Sequence, residues 1–237
     1  MRYLLSGALC LVALPCLAAP GEIARAPVTE ATGVQPNILF ILDDSGSMAW
    51  EDTLNQGVEY WGYQPASSVL GDSGVYSISN FGTVSHQSQT SVARAIGSCN
   101  GFNVLAYNPA LTYAPWAGKD RFGADYLDAT LLTARADPYE PTTTVNLTGV
   151  YYMPWTDNDG DGEYDFEECG LYRSGNGLYV DTTRQTYINQ QSAAQKTNFA
   201  NWFTYYRDRM SVAKSAMAGV IDTNESRVGL RTIQGRN

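Results

Sequence analysis

The sequence predicts an α/β protein whose parallel sheet is interrupted by a large insertion of short strands and loops. An unbroken apolar run, ILFIL at residues 38–42, is typical of a central strand that is buried on both faces. Apolar residues recur at three- and four-residue steps over residues 199–221, which predicts an amphipathic helix. The segment RVGLRTI at residues 227–233 then predicts a second strand.

The insertion, residues 49–196, separates the first strand from the helix. It is rich in Tyr, Gly, Ser and Thr, and turn signals recur in it, for example SGNG at residues 174–177. We therefore predict short strands joined by long loops. The final part, residues 197–237, should hold the helix and the second strand. Thr197 or Asn198 is a suitable N-cap for that helix.

The start of the chain predicts export from the cell. Residues 1–19 have a positive start at Arg2, an apolar stretch and small residues near a cleavage point. This pattern is typical of a secretory signal peptide and is too short for a membrane-spanning helix. Residues 20–36 contain Pro and Gly without periodicity, which predicts a linker. We expect the mature chain to be exported and to have no membrane span.

The charge of the chain restricts its partners. The 237 residues carry a formal net charge of −9 at pH 7. A protein this acidic is repelled by nucleic acids and by anionic membranes, so neither is expected as a partner. The 16 Tyr and 5 Trp favour an extracellular surface rich in strands and loops over a cytosolic enzyme.

Cys99 and Cys169 are the cysteines that remain once the predicted signal peptide is removed. In an oxidising compartment two cysteines most simply form one disulfide, which here would close a long loop. Two free thiols are the alternative. His86 is the only histidine, so a histidine-based catalytic triad or zinc site would depend on it alone. We interpret His86 as a surface loop residue.

Oxygen-bearing side chains follow the first predicted strand directly. Asp43, Ser45 and Ser47 form a D-x-S-x-S pattern within NILFILDDSGSM, residues 37–48. Ligands of parallel sheets bind at the carboxyl ends of the strands, and these oxygens suit Mg²⁺, Mn²⁺ or Ca²⁺. The alternative is a polar turn in which Asp and Ser only cap the next segment.

A second acidic motif, DNDGDGEYDFEE at residues 157–168, lies within the insertion. Its spacing matches the 12-residue calcium loop of EF-hands, including the glycine at position six. The predicted ligands are Asp157, Asp159, Asp161, Glu163 through its carbonyl group, Asp165 through water, and Glu168 as a bidentate carboxylate. Because no helix is evident on either side, we expect a structural calcium site. An acidic, solvated turn is the alternative.

The D-x-S-x-S motif and the run RMSVAKSAMAGVID…RVGLRTI resemble the start of a von Willebrand factor A domain. The resemblance implies a Rossmann-like sheet with a metal-ion-dependent adhesion site. Ser45 and Ser47 would then bind the cation directly, and Asp43 at least partly through water. The family completes this site with a Thr and an Asp from later loops, which residues 1–237 do not include. We therefore interpret the chain as a fragment of a longer protein. A truncated product that cannot form the full metal site is the alternative.

Two further motifs are YNPALTYAPW at residues 107–116 and NFANWFTYYRDRM at residues 198–210. They resemble the N-terminal part of PilY-type proteins of type IV pili. The resemblance implies an exported protein at the pilus tip, cell surface or outer membrane that acts in pilus biogenesis and adhesion. Pilus subunits or a surface receptor would be its partners. The calcium loop is inferred from this sequence and not from the family.

Other function classes remain alternatives to a non-enzymatic module. A haloacid-dehalogenase-like phosphatase would use Asp43 as nucleophile, but it needs a second Asp where this chain has Ser45. A serine hydrolase would have only His86 as base, so we expect no enzymatic activity. A calcium-dependent carbohydrate-binding domain is a further alternative. Tyr113 and Trp116 would contact the sugar in that case, or else form a locally packed loop.

Overall fold

The computed structural model of the chain describes residues 36–53, 75–79, 82–86, 91–140, 142–175, 177–223 and 226–234. The chain divides into two compact units, Met1–Gln35 and Pro36–Asn237, and every described residue belongs to the second unit. The predicted signal peptide and all but the last residue of the predicted linker lie outside the described residues. None of the helices in the described ranges is long and apolar enough to cross a membrane.

Short strands and helices make up the described residues. The strands are β1 (Asn37–Leu42), β2 (Tyr76–Ile78), β3 (Val84–His86), β4 (Ala134–Arg135), β5 (Thr144–Val145), β6 (Tyr151–Tyr152), β7 (Leu171–Ser174), β8 (Gly177–Val180), β9 (Thr186–Tyr187) and β10 (Arg227–Thr232). The α-helices are α1 (Ser91–Ser98), α2 (Ala193–Tyr205) and α3 (Arg209–Asp222). Short 3-10 helices lie at Gly46–Ala49, Glu167–Cys169, Thr182–Arg184 and Ile188–Gln190. This is a mixed α/β structure, as predicted.

The two predicted strands of the parallel sheet pair with each other. Leu42 at the end of β1 lies opposite Thr232 at the end of β10. Exposed and half-buried side chains alternate along β1, and Leu39 and Ile41 are 63% and 68% exposed. The prediction of burial on both faces is therefore wrong here, because no described element covers this face of the two-stranded pair. A larger, Rossmann-like sheet remains a prediction.

The single predicted helix is two helices. The N-cap of α2 is Ser192, five residues before Thr197 and six before Asn198. Ser192 and Gln195 form a capping box in which each side chain bonds the backbone amide of the other residue. Helix α3 begins after Asp208, whose Oδ1 accepts a hydrogen bond of 2.7 Å from the Ser211 amide. The apolar periodicity continues across both helices, so it does not reveal the break between them.

The insertion contains short antiparallel ribbons, as predicted. The pairs are β2–β3, β4–β5, β6–β9 and β7–β8, and each forms a separate two-stranded sheet. At the predicted SGNG turn, Ser174 of β7 pairs with Gly177 of β8. Gly175 adopts a φ of +58°, in the left-handed region that favours glycine.

Helix α2 lies at the centre of the larger of two hydrophobic clusters among the described residues. Phe199, Trp202 and Phe203 are at most 2% exposed. The ring of Tyr107 contacts Phe199 and Tyr152, with centroid distances of 4.9 and 5.0 Å. Full burial of each such side chain stabilises the fold by roughly 1.5–3 kcal/mol. This part of the predicted helix therefore packs within the insertion.

Two asparagines attach α2 to the neighbouring loops. Asn201 is 3% exposed, and its amide group donates to the carbonyl of Tyr113 at 2.9 Å and accepts from the amide of Ala129 at 2.8 Å. Asn198 accepts from the Tyr113 amide at 2.7 Å and donates to the Leu111 carbonyl at 2.7 Å. These bonds satisfy backbone groups that have no partner strand.

The second hydrophobic cluster surrounds the predicted disulfide. Cys99 and Cys169 are bonded, with a Cα–Cα distance of 6.0 Å and a sequence separation of 70 residues. Both are fully buried, beside Phe102 and Phe166. The disulfide joins the end of α1 to the end of the acidic loop, as expected for a bond that restrains a segment poor in regular structure.

His86 lies in β3 and not in a surface loop, so that prediction is wrong. Its ring stacks on the Tyr151 ring at a centroid distance of 3.8 Å. Its Nε2 lies 3.0 Å from the Tyr151 carbonyl oxygen, within hydrogen-bonding distance. Burial lowers the pKa of His86 to about 4, because desolvation disfavours the charged ring. The residue is a structural, neutral histidine.

Replacement of Asn201 by Ala should destabilise the chain by about 3 kcal/mol, because it leaves the buried amide of Ala129 and the carbonyl of half-buried Tyr113 without this partner. Urea unfolding followed by circular dichroism measures this change. Asn189→Ala is the matched control, since Asn189 is exposed. Equal stability of the two variants would contradict the role of Asn201.

The lowered pKa of His86 should make stability depend on pH. Between the unfolded pKa of 6.5 and the folded pKa of about 4, the unfolded chain binds a proton that the folded chain does not. Stability should therefore fall as the pH falls through this range, by up to about 1.4 kcal/mol per pH unit. His86→Phe retains the ring but cannot titrate. Parallel pH profiles of unfolding for wild type and variant would contradict this prediction.

Candidate functional site

The D-x-S-x-S motif lies where the two parallel strands end. The chain leaves β1 at Leu42, and the motif runs from there into the 3-10 helix Gly46–Ala49. The amide of Ile233, just after β10, donates to the Leu42 carbonyl at 3.0 Å. The motif is thus at the carboxyl edge of the parallel pair, which is the edge where such sheets bind ligands.

The three predicted ligand residues are close together. The amide of Ser45 donates to Asp43 Oδ1 at 2.9 Å, which turns the chain directly after the strand. The hydroxyl groups of Ser45 and Ser47 lie 3.1 Å apart. All three residues are half-buried. The donor set of one carboxylate and two adjacent hydroxyls fits a hard divalent cation.

Asp44 has a structural role that the sequence pattern did not reveal. Its Oδ1 accepts a hydrogen bond of 2.8 Å from the amide of Gln234, just beyond β10. The bond joins the loop after β1 to the loop after β10 and so orders the edge at which the motif lies. In the sequence, the only sign of this role was that Asp44 stands directly beside Asp43.

The acidic loop brings together three of its six predicted ligand residues. The carboxylates of Asp157, Asp159 and Asp161 are exposed, and one oxygen from each lies within 4.8 Å of the others. Each also accepts a hydrogen bond from a later amide of the loop, at 2.6–3.2 Å. Gly160 and Gly162 have φ of +81° and +76°, so the predicted glycine at position six adopts the left-handed turn.

Glu168 is held apart from this carboxylate group. It is 3% exposed, and its carboxylate accepts from the indole of Trp155 and the amide of Asn158, both at 2.7 Å. Although desolvation opposes the change, these bonds and one from the Asp165 amide hold its pKa below the usual value. Glu168 therefore closes the acidic loop, because its carboxylate bonds backbone amides of that loop.

The remaining predicted ligands of the loop, Glu163 and Asp165, are exposed. Desolvation and repulsion from Asp161 and Asp159 raise the pKa of Asp165. A bound cation would relieve this repulsion, so the donor set fits a calcium ion at Asp157, Asp159 and Asp161.

The loop is anchored at its carboxyl end. Arg184 donates to the carbonyls of Glu167 and Glu168, at 2.7 and 2.9 Å. Cys169 follows directly and carries the disulfide. Within residues 142–175 no α-helix flanks the loop, which confirms that it differs from an EF-hand in this respect.

The two motifs of the pilus resemblance contact each other. Tyr107 and Trp116 of YNPALTYAPW are buried, and the Trp116 indole donates to the Tyr205 carbonyl at 2.8 Å. The hydroxyl of Tyr113 accepts from the Asn108 amide at 3.2 Å. The motif is a packed loop against α2, as the interpretation of a locally packed loop predicted. Its most buried rings are therefore not available as a sugar-binding platform.

A buried ion pair next to the D-x-S-x-S motif was missed at the sequence level. Glu51 and Arg207 are 156 positions apart, yet Arg207 Nε lies 2.6 Å from Glu51 Oε1. Arg209 contacts the same segment and donates to the Asp52 carbonyl at 2.6 and 2.9 Å. Both arginines lie within the motif NFANWFTYYRDRM, but the sequence does not show their partners, because these contacts depend on how the insertion folds back.

Comparison with known proteins finds similar chains among type IV pilus proteins. The chain is 28% identical over 210 residues to the type IV pilus biogenesis factor PilY1 of Pseudomonas aeruginosa strain UCBPP-PA14, and 29% identical over 227 residues to PilY1 of strain PAK. The chain resembles a PilY1 fragment. The predicted resemblance to PilY-type proteins is thus confirmed.

The resemblance covers most of this chain but little of the relatives. The matches include 82% and 90% of this chain, and they span 15% and 17% of the two PilY1 proteins. No family model matches the chain, and no solved structure does.

Proposed function

We propose that this chain is an exported module of a type IV pilus biogenesis and adhesion protein, and that it acts by binding and not by catalysis. The observation that carries the proposal is the match to PilY1 over 82–90% of the chain. Those relatives are named as pilus biogenesis factors. The pairing of YNPALTYAPW with α2 in one packed core supports the same assignment, because both motifs carry the resemblance.

The D-x-S-x-S motif would supply the binding function of this module, as part of a von Willebrand factor A domain. Ser45 and Ser47 would hold Mg²⁺ or another divalent cation through their hydroxyls, and Asp43 would hold it through its carboxylate. The cation would offer a free coordination position to a carboxylate of the partner. The position of the motif at the carboxyl edge of β1 and β10 supports this proposal.

The acidic loop would hold a structural calcium ion. Asp157, Asp159 and Asp161 would provide carboxylate oxygens, and the ion would offset the repulsion between them. The loop ends at the disulfide, so calcium would stabilise the insertion at the point where it is cross-linked.

The proposed place of action is the cell surface or the pilus tip, or an outer-membrane-associated position. The partners would be pilus subunits or a surface receptor that carries an accessible carboxylate. The net charge of −9 is compatible with a cation-bridged contact, because a divalent ion offsets the repulsion between this acidic chain and a carboxylate of the partner.

Calcium should stabilise the chain through the acidic loop. With a dissociation constant of about 0.1–1 mM, typical of extracellular sites, 10 mM Ca²⁺ should stabilise the fold by roughly 1–3 kcal/mol. Asp157→Asn combined with Asp161→Asn should abolish this gain. Thermal unfolding with and without Ca²⁺ measures it, and the fluorescence of Trp155, whose indole bonds Glu168, gives a local signal.

Asp222→Asn is the control for the calcium experiment, since Asp222 is an exposed carboxylate at the end of α3. It should retain the full calcium-dependent gain. A wild-type chain whose unfolding does not change in 10 mM Ca²⁺ would contradict the calcium site while leaving the pilus assignment intact.

Asp43→Ala in the gene of the source cells should weaken surface adhesion without loss of the exported protein. The substitution removes one proposed cation ligand, so we expect at least a tenfold reduction in adhering cells. Pili are sheared from the cells, and the pilus and cell fractions are blotted with antibody against the insertion. Adhesion is counted on the same cultures.

Asp137→Ala is the matched control, because Asp137 accepts a bond of 2.9 Å from the amide two residues later, as Asp43 does. It should leave adhesion unchanged. Loss of the protein in the Asp43 variant alone would mean that the motif is structural. Absence of the wild-type protein from the pilus fraction would contradict the pilus assignment itself.

A further inference from the structure

The segment Trp50–Thr53, here called the clamp segment, directly follows the D-x-S-x-S motif. The amide of Trp50 donates to the Ser47 carbonyl at 3.2 Å, so the clamp segment begins within one turn of the last proposed cation ligand. Each of its four residues is bound by a part of the chain that is distant in sequence. No other function described above uses these contacts.

Glu51 is the centre of the clamp segment. Its Oε2 accepts from the amides of Val75 and Tyr76, at 2.7 and 2.9 Å, and so fixes the start of β2. Its Oε1 lies 2.6 Å from Nε of Arg207, and the two side chains are only 12% and 10% exposed. Burial raises the pKa of Glu51, and the charge of Arg207 and the two amides oppose this.

Arg207 extends the contact into the insertion and to the helix break. It lies between α2 and α3, and its guanidinium donates to the carbonyls of Phe203 and Ala136, both at 3.0 Å. The guanidinium carbon is also 4.2 Å from the centroid of the Phe203 ring. One side chain thus joins Glu51, α2 and the end of β4.

The other residues of the clamp segment are bound in the same way. Arg209, the first residue of α3, donates its amide to the Trp50 carbonyl at 3.2 Å and lies over the Trp50 ring at 5.0 Å. Its guanidinium bonds the Asp52 carbonyl. Thr53 donates to Oδ1 of Asn103 at 2.9 Å, and Asn103 in turn donates to the carbonyl of Gly97 in α1.

Through these contacts the clamp segment connects the motif to the elements around it, and both of its ends are held in place. One end continues into the motif through two residues of the 3-10 helix, and the other is bound to α1, β2, α2 and α3. A buried ion pair that loses one partner leaves an uncompensated charge, so the two sides of the Glu51–Arg207 pair cannot separate at low cost. A shift at the motif must therefore move the elements bound to Glu51, or break this pair.

We infer that the Glu51–Arg207 pair couples the D-x-S-x-S motif to the insertion, so that a change at the motif alters the stability of β2 and of the loops around it, and the reverse. The claim that this coupling changes the affinity for the cation rests on the function proposed above. The coupling itself rests on the contacts of the clamp segment alone. The insertion is then a regulator of the binding edge.

A double-mutant cycle on the full chain tests this inference. Amide hydrogen exchange of Val75 and Tyr76 is measured in the wild type, in Asp43→Ala, in Glu51→Gln/Arg207→Gln, and in the variant that combines all three changes. Asp43→Ala should speed exchange at these two amides about tenfold in the wild-type background. In the Gln/Gln background its effect should be much smaller, because the charged contact between Glu51 and Arg207 is removed.

The control replaces the exposed pair Arg121–Glu140 by two glutamines, the same chemical change within the insertion. In that background Asp43→Ala should still speed exchange tenfold. Equal effects of Asp43→Ala in all three backgrounds, or effects limited to residues 43–49, would overturn the coupling. If the Gln/Gln variant does not fold, Arg207→Lys replaces it, since Lys keeps the charge but cannot make the same set of guanidinium bonds.

A Mg²⁺ and Mn²⁺ titration separates the coupling from the proposed function. If the wild type binds the cation, the Gln/Gln variant should bind it with an affinity changed by at least threefold, and the Arg121–Glu140 control should match the wild type. Unchanged affinity would overturn the regulatory role. If the wild type binds neither cation, the cation site of this chain fails, while the exchange cycle still decides whether the two regions are coupled.

Discussion

The fold of the insertion depends on side chains that satisfy the backbone of its loops. Among the described residues its ribbons have two strands each, so loop amides and carbonyls need partners other than a strand ladder. An unpaired buried group costs about 1–3 kcal/mol. Asn103, Asn198 and Asn201 fill this role with their amide groups. The indole of Trp202 and the hydroxyls of Tyr205 and Tyr206 do the same while their rings pack in or against the core. The indole of Trp116 bonds the carbonyl of Tyr205, the last residue of α2. The abundance of Tyr and Trp therefore has a structural cause.

The need of the loops for hydrogen-bond partners also explains the role of α2. This helix organises the insertion, and it does not organise the parallel sheet. A helix satisfies its own backbone, so its side chains are free to fill a core and to bond the loops around it. Phe199, Trp202 and Phe203 fill the core, and Asn198 and Asn201 bond the loops. The chain then turns at Tyr206 and starts α3, which leads into β10. The break between α2 and α3 therefore separates the helix that packs within the insertion from the helix that leads into the parallel pair. Arg207 lies at this break.

The two candidate cation sites differ in how the fold supports them. The Asp43 motif lies on a strand edge that is joined to β10 through Asp44 and to the insertion through Glu51. The acidic loop is exposed and is closed by Glu168, Arg184 and the disulfide. The first arrangement suits a site whose state is transmitted to other elements. The second suits a structural site that stabilises its own loop.

The sequence by itself determined the features that depend on local pattern: the strands β1 and β10, the short ribbons and the spacing of both acidic motifs. The disulfide could be predicted as well, because two cysteines remain after the predicted signal peptide. It did not show the break at Tyr206, since the apolar period runs through it, nor the burial of His86, which depends on Tyr151 from β6. Only the tertiary structure joined Glu51 to Arg207 and turned Glu168 towards Trp155. The physical reason is that periodicity and spacing report on neighbours along the chain. Buried charges and amides take their partners from whichever distant segment the packing brings within about 3 Å.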